Sequence, residues 1–161
     1  MNAFSRNSSS AHLPALKHMS PNQHLLVYAM RKWHMGPAEM PDVAQTLFRI
    51  FGIYHVEAAI QAFETVLSAM IDNPHNHLAI ASLHQSALSA GEMTFLQLIT
   101  SFHAGAPKTA RRLARQIAGR DMENEVFCAA CQIAQSLDAR RIVFTLRDYQ
   151  PLALMPIAGH A

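Results

Sequence analysis

Residues 89–105, SAGEMTFLQLITSFHAG, constrain the fold more than any other stretch of the chain. Ser89, followed three residues later by Glu92, is a capping-box signature for a helix start, and Gly105 supplies a stop. The apolar side chains between them point in nearly every direction around the helix axis: Met93, Phe95, Leu96, Leu98, Ile99 and Phe102. A helix without a polar face has to be surrounded by other helices. The stretch therefore predicts a central helix, in which Phe102→Ala would cost roughly 3 to 5 kcal/mol for a fully buried ring.

Start and stop signals predict three helices before the central one. The first begins at Ser20 and Pro21 and ends at Gly36, the second runs from Pro41 to Gly52, and the third covers residues 56–72. Apolar residues assigned to the core are Leu26, Met30 and Trp33 in the first helix, Val43, Leu47, Ile50 and Phe51 in the second, and Val56, Ala59, Ile60, Phe63, Leu67, Met70 and Ile71 in the third. Asn22, Gln23, Arg31 and Lys32 are assigned mostly to the polar side of the first helix.

Two further helices are predicted after the central one. A helix over residues 107–118 buries Ala110, Leu113, Ala114 and Ile117 and ends at Gly119. The next, over residues 121–140, uses Val126, Ala130, Ile133 and Leu137 as its core face. The chain of 161 residues, 50% hydrophobic, has apolar material for one core. The prediction is an all-α, compact single-domain bundle of about six helices.

Other segments are less regular. Residues 1–19 are polar and aperiodic, which predicts a flexible tail before a helical domain over residues 20–147. Residues 76–88 could be helix, strand or loop, and the β-branched run 142–146 could pair with 78–83 as a two-stranded ribbon. Residues 148–161 contain two prolines among apolar residues, which favours an extended strap lying on the body.

The two cysteines are the first chemical candidate. Cys128 and Cys131 at i and i+3 of a helix lie on one side, a spacing that suits packing, a redox dithiol or a shared zinc ion. The helical wheel places Cys131 at the border of the core and Cys128 on the polar side. A zinc site needs two more ligands, for which His75 and His77 are the candidates, although the spacing matches no standard zinc finger.

A basic stripe is the second candidate. Lys108, Arg111, Arg112 and Arg115 recur at i, i+3, i+4 and i+7 of the helix over residues 107–118. With the preceding helix and a short turn, this stripe could mimic a helix-turn-helix that contacts nucleic-acid phosphates. The alternative is a solvated face paired with acids such as Glu123 or Glu125.

Composition limits the remaining functions. A net charge of +2 does not imply nucleic acid or an anionic membrane, and the sequence has neither a membrane-length apolar run nor a secretory signal. Two cysteines three positions apart agree with a reducing compartment, so we expect a soluble cytoplasmic protein. No phosphate-binding glycine loop, GxSxG or HExxH motif is found, which argues against an enzyme.

These observations favour a non-catalytic interaction or regulatory protein that self-associates or binds a partner helix. Nine methionines, which suit adaptable surfaces, and the apolar C-terminal residues support this expectation. The alternatives are a nucleic-acid-binding regulator using the basic stripe of residues 107–118 and a metal-binding protein using Cys128 and Cys131 with the loop histidines. No cofactor other than zinc is suggested.

Overall fold

The structure, a computed structural model, describes residues 14–75 and 78–145, and these residues form five α-helices. The helices are α1 (Pro21–Met35), α2 (Met40–Phe51), α3 (Val56–Asp72), α4 (Ala90–His103) and α5 (Pro107–Ala139). Single 3-10 turns occur at Leu16–His18 and Pro37–Glu39. Within the described ranges there is no strand, only one isolated β-bridge between Ala15 and Ala87. The all-α prediction is confirmed, and the starts and ends predicted for α1 to α4 are reproduced within one or two residues.

Capping by side chains fixes the start of α1 and of α4. The Ser20 hydroxyl accepts from the Gln23 N–H at 3.3 Å, and the Gln23 side chain accepts from the Ser20 N–H at 3.0 Å. Ser89 and Glu92 repeat this arrangement at 3.1 and 2.9 Å. Both pairs satisfy backbone donors that an uncapped helix start would leave free. The capping box predicted for α4 is confirmed.

Helix α5 folds back on itself at Gly119. Gly119 has φ 73° and ψ −177°, which are not helical values. The Arg111 guanidinium lies 4.1 Å from the ring centre of Phe127, sixteen residues further on. A straight helix would separate two such residues by about 24 Å. The kink is therefore at the position where a helix stop was predicted. We call residues 107–118 the first arm of α5 and residues 120–139 the second arm. The second arm is the predicted sixth helix, and it follows the first arm without a loop.

The core lies between α3, α4 and α5, with α1 and α2 packed beside it. Nine of the fourteen residues of α4 are buried, in agreement with its predicted central position. Phe102 is only partly buried, however, and its ring packs on that of Phe127 with centroids 5.0 Å apart. The expectation of a fully buried Phe102 was wrong, because the second arm of α5 covers the end of α4 incompletely.

Three further residues lie on faces that the helical wheels did not predict. Ile71, assigned to the core, is 44% exposed at the end of α3. Gln23 and Arg31, assigned to the polar side of α1, are buried. Gln23 donates to the Thr145 carbonyl and Arg31 to carbonyls of the segment before α4, so these two polar side chains face chain segments that a helical wheel does not include.

The predicted ribbon does not form in its described residues, 78–83 and 142–145. Residues 78–89 form an irregular segment, so the part of 76–88 that is described is loop rather than helix or strand. Residues 76 and 77 lie outside the described ranges. Residues 14–16, the described end of the predicted tail, bind this segment through Leu16 N–H to Ser86 O (2.8 Å) and Leu88 N–H to Pro14 O (3.0 Å). Residues 1–13, Leu146 and the predicted strap 148–161 also lie outside.

The ends of α4 and α5 provide a matched test of backbone strain. Both helices end with the hydrogen-bond pattern of a Schellman motif, in which one residue adopts the left-handed conformation. This residue is Gly105 (φ 65°) after α4 and Arg141 (φ 56°) after α5. Because a side chain strains this conformation, we expect Arg141→Gly to raise the free energy of unfolding by about 0.5 to 1 kcal/mol and Gly105→Ala to lower it by about 1 kcal/mol. Urea denaturation measures both, and a loss of stability in Arg141→Gly would contradict the assignment.

Candidate functional site

The predicted basic stripe lies on the exposed side of the first arm of α5, but two of its members bind the second arm. Arg111 donates to Asn124 Oδ1 at 2.7 Å and stacks on the Phe127 ring. Arg115 pairs with Glu123 at 3.1 Å, the pairing that a solvated face predicts. Lys108 and Arg112 are exposed and bind no other described residue. The fold-back at Gly119 therefore gives two of the four cations a binding partner within the molecule, one of them the carboxylate of Glu123.

The cysteines lie where the helical wheel predicted. Cys128 is exposed, Cys131 is half-buried, and both are free thiols. Burial, and secondarily the neighbouring Cys128, raises the pKa of the Cys131 thiol. His75 is exposed after α3, and His77 is outside the described residues. In the part of the chain that is described, no three His, Cys, Asp or Glu side chains come close enough together to hold a metal, so His75 and the two cysteines do not form one ligand group.

The two thiols are expected to react at different rates. Each thiol can be followed alone, Cys128 in the variant Cys131→Ser and Cys131 in the variant Cys128→Ser. At pH 8 iodoacetamide should modify Cys128 several-fold faster than Cys131, because burial restricts access to Cys131 and keeps its thiolate fraction low. Mass spectrometry over time measures both rates. Equal rates, or faster modification of Cys131, would contradict the burial described here.

A buried ion pair, which the sequence analysis missed, joins α1 to α4. Arg31 and Glu92 are 2% and 0% exposed, and their side chains form two hydrogen bonds of 2.8 and 3.0 Å. The Glu92 carboxylate also accepts the N–H groups of Ala81 (3.0 Å) and Ser89 (2.9 Å). Each carboxylate oxygen thus accepts two hydrogen bonds, which is what a buried carboxylate requires.

The same arginine fixes the irregular segment before α4. Arg31 Nη1 and Nη2 donate to the carbonyl oxygens of Gln85 (2.6 Å) and Ala87 (2.9 Å). The sequence did contain a signal for such a pair. Glu92 lies on a helix without a polar face, so its carboxylate had to be buried, and a buried carboxylate needs a cationic partner. The identity of that cation depends on a contact across 61 residues, which no local pattern encodes.

The buried ion pair is expected to contribute far more to stability than the surface ion pairs of Lys32. Glu92→Gln retains size and most of the cap but leaves the buried Arg31 without its counter-charge, so we expect the free energy of unfolding to fall by about 3 to 5 kcal/mol. Lys32→Ala, which removes surface contacts to Glu39 and Asp42, is the control and should change stability little. Chemical denaturation compares them, and equal effects would contradict the role of the pair.

His103 joins the end of α4 to the chain that follows α5. Its ring is 2% exposed, and Nδ1 accepts the Phe144 N–H at 2.9 Å. The proton of the neutral ring is therefore on Nε2, which lies 3.2 Å from the Ala134 carbonyl and 3.4 Å from Asp138. His103 thus holds residues 142–145 on the body, a role more specific than the helix-dipole interaction that its position suggests.

An exposed apolar surface lies where α2 meets α3. We call Phe48, Ile53 and Tyr54 the apolar turn; their exposed fractions are 49%, 70% and 92%. Two arginines adjoin it: Arg49 follows Phe48 in the chain and is exposed, and the Arg140 guanidinium covers Gly52, where a β-carbon would lie 2.8 Å from Nη1. The result is an aromatic and aliphatic projection with a positive border.

A groove of about 660 Å³ runs along α3 to the kink of α5. Its charged lining consists of Glu64, Asp72 and Asp121, and its apolar lining includes Ala69, Ala118 and Met122. The α3 residues Gln61, Thr65 and Ser68, with Asn73 and Pro74, complete it. We call this the acidic groove. It exists because the fold-back at Gly119 places the start of the second arm beside α3.

Neither surface was predicted from the sequence, for different reasons. An Ile-Tyr pair in the four-residue link between α2 and α3 is a signal that was available, because such links are usually built from Gly, Asn, Asp, Ser or Pro. The acidic groove gave no such signal, since its carboxylates come from segments about fifty residues apart and meet only through the tertiary fold.

A hydroxyl or thiol paired with a histidine ring would indicate a nucleophilic catalytic site. Across 14–75 and 78–145, no serine, threonine or cysteine side chain is hydrogen-bonded to a histidine ring. Of the helices in these ranges, none is both long and apolar enough to cross a membrane. Comparisons of the chain with protein-family models, curated proteins and solved structures found no match.

Proposed function

We propose that this chain is a non-catalytic interaction protein that self-associates through the apolar turn. The observation that carries the proposal is the exposure of Ile53 and Tyr54, at 70% and 92%, beside Phe48 at 49%. Scattered exposed apolar residues are ordinary, but three within seven positions of one helix junction form a patch. Burying each such side chain against a partner is worth about 1.5 to 3 kcal/mol.

The apolar turn is also held in shape before any partner binds. The Gly52 N–H donates to Phe48 O at 2.8 Å, and the Val56 N–H donates to Gly52 O at 3.0 Å. Phe51 and Ala59, on either side, are buried in the core. A preorganised surface loses little conformational entropy on association, which favours binding.

Nucleic-acid binding through the basic stripe has less support. Arg111 and Arg115 are engaged with Asn124, Phe127 and Glu123, so only part of the stripe is free to contact phosphates. Metal binding also has less support, because His75 does not lie close enough to Cys128 and Cys131 to form one ligand group with them.

Replacing the two most exposed residues tests the proposal. We expect Ile53→Ser/Tyr54→Ser to abolish self-association, because it removes most of the apolar surface, while the free energy of unfolding changes by less than about 0.5 kcal/mol. Sedimentation velocity over a concentration series measures association, and thermal denaturation checks the fold.

Met35→Ser is the matched control, since Met35 is 57% exposed but lies at the end of α1, away from the junction of α2 and α3. It should associate as the wild type does. Wild-type protein that stays monomeric at every concentration, or a double variant that associates normally, would contradict the proposal.

A further inference from the structure

We propose that the apolar turn of one copy docks in the acidic groove of a second copy, so that the chain associates head to tail. This inference rests on the proposed function and names the surface that the turn recognises. It is supported by three properties of the two surfaces, namely their charge, their size and their separation on the molecule.

The charges of the two surfaces are complementary. Arg49 and Arg140 border the apolar turn, and Glu57, in the first turn of α3, is the exposed acid nearest to it along the chain. Glu64, Asp72 and Asp121 line the groove, whose described lining residues include no basic one although Arg120 adjoins it. Opposite charges at the rims steer association and fix orientation, while the apolar centre supplies affinity.

The groove suits an apolar projection of this size. Its volume of about 660 Å³ is within the range of pockets that enclose small ligands, roughly 300 to 1,000 Å³. Met122, 39% exposed, presents a flexible side chain that adapts to an aromatic ring. Ala69 and Ala118 leave room beside it, so that the tyrosine of the turn can lie against apolar surface.

The two surfaces cannot meet within one molecule. Tyr54 lies just before α3, whereas the α3 residues that line the groove, from Gln61 to Asp72, lie roughly 8 to 24 Å along this helix from its first residue. The contact therefore joins two copies. In the head-to-tail arrangement it is heterologous: one turn and one groove stay free at the two ends of every pair, and rings or open chains result. A wild-type dimer of fixed mass, closed by two reciprocal contacts, would overturn this arrangement.

Mixing two variants tests this geometry. One variant, Ile53→Ser/Tyr54→Ser, lacks the apolar turn, and the other, Asp72→Lys/Asp121→Lys, reverses charge in the groove at exposed positions. We expect each to be monomeric alone. The mixture should form a 1:1 complex of two chains that grows no further, because the intact turn of one variant meets the intact groove of the other. Light scattering coupled to size exclusion gives the mass of each species.

The outcomes separate this inference from the proposed function. Loss of association in the turn variant alone, with normal association in the groove variant, indicates contact between two turns; it overturns the head-to-tail arrangement and supports the proposed function. Normal association in both variants overturns both. Lys108→Glu/Arg112→Glu, a charge reversal outside both surfaces, is the control and should associate as the wild type does.

A lipid surface is the competing partner for an apolar turn bordered by arginines. Sedimentation with vesicles containing phosphatidylserine tests it directly. A wild-type protein that binds these vesicles through Ile53 and Tyr54 but stays monomeric in solution would overturn the inference. Self-association that weakens as salt increases, without binding to the vesicles, supports it.

Discussion

The buried pair of Arg31 and Glu92 is the interaction on which the arrangement of this bundle depends. Each member would be very unfavourable alone in the core, and together with four backbone groups they satisfy one another. Two of those groups are carbonyls of residues 78–89, a segment that has no regular structure of its own. The pair therefore fixes the path of this segment at the same time as it joins α1 to the start of α4.

Gly119 has a comparable influence on the surface. By folding α5 back on itself, it places Arg111 and Arg115 against the second arm, where their guanidinium groups bind Asn124 and Glu123 although they remain exposed to solvent. The same fold-back brings Asp121 beside α3 and forms the acidic groove. One backbone conformation thus weakens the nucleic-acid hypothesis and provides one side of the proposed head-to-tail contact.

Local signals account for most of the fold that could be predicted. Capping residues, prolines and glycines determined the helix boundaries, and apolar periodicity identified most core positions, because both effects act within about one helical turn. The same patterns failed at Gln23 and Arg31, where the deciding neighbour belongs to a distant segment, and at Ile71, which is exposed at the end of α3. They also failed for the predicted ribbon, since β-propensity is weaker than the hydrogen bonds that hold residues 78–89 and Phe144 elsewhere.

The sequence by itself determined that the chain is helical, where its helices begin and end, and that Cys128 is more exposed than Cys131. Each of these depends on the spacing of residues along one helix. Only the tertiary structure decided that Arg31 is buried and that Glu64 and Asp121 line one groove. These features depend on contacts between segments far apart in sequence, and a contact of that kind is set by the packing of the whole core rather than by any local pattern.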